Sequence, residues 1–391
     1  MASSAAVRAE DADVARFLTG LAPDDPQTHY SAAVLLERSF EPADVEAALK
    51  EYEIAAGLAP ENFLYWFDLG RARDRSGDST GAEGALRRAL ELAPNYSRVQ
   101  WALGNTLLRQ GRVDEGFAEI RKAVAADPAA FAGPTANTAW QFFDQDLAAI
   151  RQVAGGSVHI EAALVSLMIR EKRIDEAVEI WNGIPTSDRQ LSLRETGKAL
   201  LAALLAAKRF RAAGVVMTGL GETGEAQPEQ ITNGGFETAV KPAGAGPFEW
   251  MIAPGLQPQI VLSSGQKHGG NNSLLVIYSS NDGKDFRGIS QLIAVQPGTS
   301  YEIEIFYRSD LKTNAVFKWQ VTDAADETKP LAVSEAISNR PEWSSLLLKF
   351  QSSPSSDGVV LRLIRENCGP VCPVTGTVMF DDISLRRAVA R

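Results

Sequence analysis

Along the first half of the chain the apolar positions recur at helical spacing, and along the second half at strand spacing. Up to about Thr223, Ala, Leu, Arg and Glu dominate; after Pro228, Ser, Thr, Asn, Val, Ile, Gly and Pro take over. That is a change from helix-forming to strand-forming vocabulary. Between them, Gly219 to Pro228 is Gly-rich and polar, with few groups able to pack, which predicts a linker. The expected organisation is therefore a helical region over 1–220, a linker over 221–229 and an all-β region over 230–391. Ala199 to Ala207, bracketed by Lys198 and Lys208, predicts a buried helix and is too short to cross a bilayer, so no membrane span is expected in the chain.

Seven strand-like runs recur after Ile231: 273–279, 290–295, 301–308, 316–323, 344–351, 359–365 and 377–385. Turn formers such as Asp282-Gly283, Pro297-Gly298 and Asp357-Gly358 separate them. Tyr301, Ile303, Ile305 and Tyr307 alternate with Glu302, Glu304, Phe306 and Arg308, so this strand has one wet face. Short strands at this spacing predict a β-sandwich.

In the helical half, Pro26, Pro60, Pro94 and Pro128 stand 34 residues apart, each expected to close a helical stretch. Between Phe63 and Tyr96 lie Trp66, Leu69 and Gly70 on a first helix, Gly77 at a turn, then Ala82, Leu86 and Ala89 before Pro94. The next unit supplies Leu103, Gly104, Gly111, Ile120 and Ala123, with Gln100 where a large residue is usual and Gly116 where Ala is usual. The pattern lapses over 129–156 and resumes in degenerate form, with Trp181 and Met217 at matching core positions. This region resembles the tetratricopeptide repeat family, whose units are stable only when stacked into a solenoid. The resemblance implies a concave groove lined by Phe67, Arg71 and Arg75 in one unit and Trp101, Asn105 and Arg109 in the next. Cations interleaved with aromatics there suit an acidic or C-terminal segment of a protein partner. The plainer reading of such an Arg is a surface ion pair with a nearby Glu or Asp.

The second half carries an ordered set of motifs: Ile231 to Glu237, Trp250, Lys267 to Leu274, Val295 to Tyr301, Trp343 and Phe380 to Leu385. Together they resemble a galactose-binding-like jelly roll, in the version found as carbohydrate-binding modules of bacterial polysaccharide enzymes. The resemblance implies first and last strands side by side and a structural calcium ion held by Glu237 and Asp382, with backbone oxygens near 267–272. The alternative for Glu237 and Asp382 is a pair of solvated strand-end carboxylates. A sugar site needs aromatic faces and planar polar groups; the candidates are Trp250, Gln291, Arg308, Lys318, Gln320 and Arg365. Lys318, Gln320 and Arg308 form the preferred wet-face set, while Trp319 and Trp343 read as core.

Net charge of −10 argues against a non-specific nucleic-acid binder, and three His with two Cys, scattered, against a zinc site. Asp381 and Asp382, adjacent on a strand, would point to opposite faces and so could not serve as a facing acid and base. With no nucleophile elbow or P-loop the chain reads as a non-catalytic binding protein. Cys368 and Cys372 flank Val371, Pro370 and Gly369 and pair with each other or stay free; a bridge would contribute roughly 2 kcal/mol by loop entropy. It would also place the protein in an oxidising compartment, a bacterial periplasm or cell surface. The first residues lack a secretory leader, which a removed leader or anchor would equally explain. The functional expectation is an adaptor of an envelope or exopolysaccharide assembly system, with a protein in the repeat groove and polysaccharide on the jelly roll. The alternatives are a jelly roll that binds protein without sugar, or part of a glycan-processing enzyme.

Overall fold

The computed structural model describes residues 12–38, 41–221 and 227–388. Residues 222–226 of the expected linker, and the first residues on which the export reading rests, lie outside the described residues. The chain divides into two compact units, Met1–Leu167 and Met168–Arg391. No helix among the described residues is long and apolar enough to cross a membrane.

The first unit is helical throughout. Its helices are α1 (Ala12–Leu21), α2 (Pro26–Glu37), α3 (Pro42–Leu58), α4 (Phe63–Arg75), α5 (Ser79–Leu92), α6 (Ser97–Arg109), α7 (Val113–Ala126), α8 (Pro128–Phe142), α9 (Leu147–Ala154) and most of α10 (Val158–Arg170). Helices α2 and α3, α4 and α5, and α6 and α7 pack as successive hairpins. Small residues set their closeness: a Cβ built on Gly104 would lie 2.6 Å from Ile120 Cγ1 and 2.7 Å from the Gly116 carbonyl, so no larger residue fits without parting α6 from α7. Asn62 caps α4 through its Oδ1 to Leu64 N at 3.1 Å, and Asp78 caps α5 through Gly81 N at 2.8 Å.

The proline ladder divides into two roles. Pro60 and Pro94 follow the ends of α3 and α5, as expected. Pro26 and Pro128 instead sit in the first turn of α2 and α8, where a missing N–H costs nothing and the fixed φ suits a helix start. Helices also continue through 129–156, where the repeat signature lapses.

The second unit begins with helices α11 (Ile174–Gly183), α12 (Thr186–Gln190), α13 (Arg194–Ala206) and α14 (Phe210–Gly219). Trp181 and Met217 are buried, and α13 buries Leu200, Leu201 and Leu204 while Ala202 and Ala206 stay exposed. The strands follow: β1 (Met251–Ile252), β2 (Gln259–Ser263), β3 (Ser273–Asp282), β4 (Ile289–Ala294), β5 (Ser300–Ser309), β6 (Lys312–Thr313), β7 (Val316–Asp323), β8 (Pro330–Val333), β9 (Arg340–Gln351), β10 (Gly358–Glu366) and β11 (Val371–Arg387). They form two antiparallel sheets, one ordered β1-β4-β10-β7-β8 and one β2-β3-β11-β5-β9 with β6 on β11. Between the sheets lie Phe236, Trp250, Tyr278, Trp319 and Phe380 with the inward aliphatic residues of both.

The last helix is built onto the sandwich. Asp357, in the turn before β10, accepts from Phe210 N at 2.9 Å and Arg211 N at 3.1 Å, capping α14 from a residue 147 positions away. Phe210 is buried against Gly358, where a Cβ would come within 2.4 Å of its ring. Glu229 then ties Arg211 of α14, at 3.0 Å, to Arg387 of β11, at 2.7 Å.

The hydrogen bond from Arg387, helped by that from Arg211, holds the Glu229 carboxyl down at about 2, against an ordinary 4.5. A carboxylate depressed in the folded state stabilises it fully above its unfolded value and loses that contribution as pH falls through the folded value. Glu229→Gln should therefore melt below the parent at pH 6, and the gap should close between pH 4.5 and about 2. Thermal melts across that range check it; a gap independent of pH would refute the ion pair's role.

Candidate functional site

In the first unit, Arg71, Arg75, Trp101, Asn105 and Arg109 line one depression of about 270 Å³, between α4 and α6. Phe67 does not belong with them. It is 8% exposed and packs with Leu86, Val99 and Leu103 in the hairpin core, beneath the Arg71 guanidinium at 5.5 Å. The cations are already partnered: Arg71 with Asp68 at 3.0 Å, Arg109 with Asp74 through Nε at 3.1 Å, and Arg75 with Glu37. Trp101 stacks on Phe131 at 5.2 Å, and Asn105 donates to the Trp101 carbonyl at 2.8 Å. A bound carboxylate would thus share guanidiniums with Asp68 and Asp74, and both are surface-competent pairs of modest strength.

In the sandwich the opening motif meets the closing strand. Ile383 N donates to the Gly234 carbonyl at 2.9 Å, and a Cβ on Gly234 would stand 2.0 Å from the Ile383 oxygen, so only glycine allows this approach. A bulge follows Asp381 in β11, and Asp382 takes a left-handed φ of 45°. That breaks the strand alternation expected to set the two acids on opposite faces, and both turn to the same loop. Asp381, fully buried, accepts from His268 N at 2.7 Å, Gly269 N at 3.1 Å and Asp382 N at 2.8 Å. Burial raises its carboxyl above the usual range against those three donors. Asp382 Oδ2 lies 2.6 Å from His268 Nδ1.

Glu237 reaches the same loop from the other side, accepting from Asn271 N at 2.7 Å and Asn272 N at 3.1 Å, which hold its carboxyl below the usual range. A Cβ on Gly235 would lie 3.6 Å from Asp382 Oδ1 and 4.0 Å from Glu237 Cγ, so the two acidic side chains flank the same glycine. Both are hard oxygen donors. Among the described residues no group of three or more His, Cys, Asp or Glu side chains could hold a metal ion.

The six sugar-site candidates part company. Trp250 is 2% exposed, tilted against Phe236 with its Nε1 donating to the Asn233 carbonyl, and has no face to offer a ligand. Gln291 is equally interior: its amide clamps Thr232 N at 3.2 Å and Thr232 O at 2.8 Å. Both expectations fail because tertiary pairing, invisible in a strand pattern, satisfies these polar groups inside. Arg365 is tied down by the carbonyls of Asp285, at 2.9 Å, and Gly283, over the Phe286 ring. Lys318 and Gln320 do share the outer face of the five-stranded sheet, held by Glu366 at 2.7 Å and Arg362 at 2.9 Å. In register with them stand Ile364, Arg362, Ser290 and Val333, none aromatic.

Arg308 lies elsewhere, on the outer face of the six-stranded sheet, and there the aromatics are. His268 lies flat on Phe306 with ring centroids 3.8 Å apart and planes at 15°, and Trp343 stands 5.8 Å from His268 at 63°. Phe306 and Trp343 are half-buried and His268 is exposed. Arg308, bonded to Gln266, Asn339 and Lys312 line an adjoining depression of about 420 Å³. Trp343 is thus not core. Phe306 was signalled by its place among Glu302, Glu304 and Arg308 on the wet side of the alternation.

A family model of the tetratricopeptide repeat matches residues 40–97 and 67–131, and one of a carbohydrate binding domain matches 228–368. The chain joins tetratricopeptide repeats to a carbohydrate-binding domain. A curated relative, the BBSome complex member bbs-4 of Caenorhabditis elegans, is 35% identical over 101 residues, which is 26% of this chain and 21% of that protein. The chain thus spans about a fifth of that relative's length. Among solved structures, one described as "CBM4 structure and function" is 13% identical over 40% of this chain and 99% of its own, with a TM-score of 0.31. The crystal structure of MamA protein is 17% identical over 30% of this chain and 62% of its own, with a TM-score of 0.28. The carbohydrate-binding domain also carries the cysteine pair: Cys368 and Cys372 are bonded, with Cα atoms 5.4 Å apart, where β10 gives way to β11.

Proposed function

We propose that the protein is a non-catalytic adaptor of a bacterial envelope or exopolysaccharide assembly system, whose repeats dock a protein while the sandwich holds a polysaccharide chain. The observation that carries the sugar half is the aromatic platform of His268, Phe306 and Trp343 beside Arg308. Apolar ring faces flanked by a few planar polar groups match the two sides of a pyranose, its C–H face and its hydroxyl edge. The repeat half is supported by the depression that gathers Arg71, Arg75 and Arg109 around Trp101. The Cys368–Cys372 bridge supports an oxidising address, the periplasm or cell surface. A structural calcium ion, held by Glu237 and Asp382, would pin the 267–272 loop that presents His268.

Affinity electrophoresis of the full chain through gels containing soluble β-glucan, xylan or an acidic exopolysaccharide tests the sugar half. At least one glycan should retard the protein, and EDTA should reduce the effect; unretarded migration in all of them would overturn it. For the repeats, recovery of a partner from envelope extracts should fall when Arg71 and Arg109 are both changed to Glu. Undiminished recovery would count against the groove.

A further inference from the structure

Across the sandwich, surface cations end on carboxylates. On the six-stranded sheet Lys349 and Arg386 close on Glu302, at 2.7 and 3.1 Å, and on the other sheet Lys318 closes on Glu366 at 2.7 Å. Beside the aromatic platform they do not. Arg308 and Lys312 line the adjoining depression, and Arg340 stands in the chain between Asn339 and Pro341 of its lining. None of these three forms an ion pair among the described residues.

Arg308 is the informative one. It is half-buried, and its Nη1 donates to the neutral amide oxygen of Gln266, two residues before His268 in the loop that carries the platform. Nε and Nη2, the edge that matches both oxygens of a carboxylate, have no partner among the described residues. A half-buried guanidinium gains from a counter-charge that solvent supplies only in part. The one carboxylate among the lining residues, Asp310, accepts from Thr377 N at 2.5 Å and Thr377 Oγ1 at 2.8 Å, and its charge answers Lys312. That leaves Arg308 over. Phe306, under the His268 ring, and Arg308 are two residues apart on one strand face, so stack and guanidinium rise from positions about 7 Å apart. A pyranose ring on the platform with a carboxylate at its C6 edge spans that interval.

We propose that the glycan is a polyuronate: one uronic acid ring covers His268 and Trp343, and its carboxylate forks onto Arg308 Nε and Nη2. This names the substrate class of the platform and rests on the platform binding a glycan at all. A neutral sugar would cover the rings and leave the guanidinium unanswered. A free carboxylate would answer the guanidinium and leave the rings bare. The chain as a whole carries −10, so general attraction cannot hold a polyanion and a local site has to.

Titration of the full chain with polygalacturonate, polyglucuronate and alginate, each beside the same polymer with its carboxyls reduced to primary alcohols, tests this. At least one polyuronate should bind about tenfold more tightly than its reduced form. Arg308→Gln should remove most of that ratio, and Arg308→Lys, which keeps the charge and loses the fork, should restore only part of it. Equal binding of acid and reduced forms, or binding confined to neutral xylan or β-glucan, overturns the uronate and leaves the glycan platform standing. A ratio that survives Arg308→Gln also overturns it, because the charge is then read elsewhere. No binding of any glycan, acidic or neutral, ends both readings together.

Discussion

Trp319→Ala should destabilise the sandwich by about 3–5 kcal/mol, the range for truncating a buried large aromatic. Trp319 is fully buried between the sheets, 6.0 Å from Trp250 and 5.1 Å from Phe380, both edge-on. It joins residues of β7 and β11, strands of different sheets, and its loss leaves a void that the paired strands cannot close. A domain is held by about 5–15 kcal/mol, so the variant stands near the margin. Trp319→Phe should be far milder, within about 1 kcal/mol of the parent. The phenyl ring keeps the contacts with Trp250 and Phe380, and it removes an indole N–H that has no acceptor in the core. Deleting an unpaired buried donor recovers about 1–3 kcal/mol, close to what the lost ring area costs. Hydrogen exchange of peptides from β7 and β10, followed through urea steps, separates the variants: roughly 2 M lower midpoint for alanine, little change for phenylalanine. If phenylalanine proves as damaging as alanine, the orphaned N–H has been misjudged and volume alone governs the site.

Trp319 also marks where the molecule could be read from its pattern. An aromatic between Lys318 and Gln320 on an alternating strand must face inward, and it does. The repeats were legible for the same kind of reason, because Gly70, Gly104 and the prolines recur at a fixed period that only stacked hairpins demand. Local backbone exceptions were not legible. Period-two reasoning places Asp381 and Asp382 on opposite faces, and one left-handed residue at a bulge undoes it. Long-range pairing was equally hidden. Gln291 reads as a sugar-site candidate until Thr232, 59 positions earlier, supplies both of its hydrogen bonds, and Asp357 reads as a turn former until α14 begins on it. Trp343 failed in the opposite sense: a tryptophan before an apolar strand reads as core, yet it shares the outer face of β9 with Ser345 and Lys349. The wet-face position of Phe306 was the stronger clue.

Trp343→Ala should cost the glycan about 2 kcal/mol of binding, roughly 30-fold in affinity, with little change in folding stability. The two expectations follow from one geometry. Trp343 is half-buried at the sheet surface, so truncation opens no cavity, but its ring and the outward face of His268 are the apolar area a sugar ring can cover. His268 is kept parallel to Phe306 by Asp382 at its Nδ1, which leaves one imidazole face spent on the protein and the other turned to solvent. Trp343→Phe keeps a ring of smaller area and should lose only a few-fold. The decisive comparison is with Lys318→Ala and Gln320→Ala on the other sheet, where the register neighbours Arg362, Ile364, Ser290 and Val333 offer hydrogen bonds without an aromatic floor. Titration of the full chain with whichever glycan retards it ranks the variants. Loss in Trp343→Ala with binding intact in the other two assigns the chain to the six-stranded sheet. The reverse order would move it to the five-stranded face, where guanidinium and amide groups alone would have to discriminate among hydroxyls against competing water.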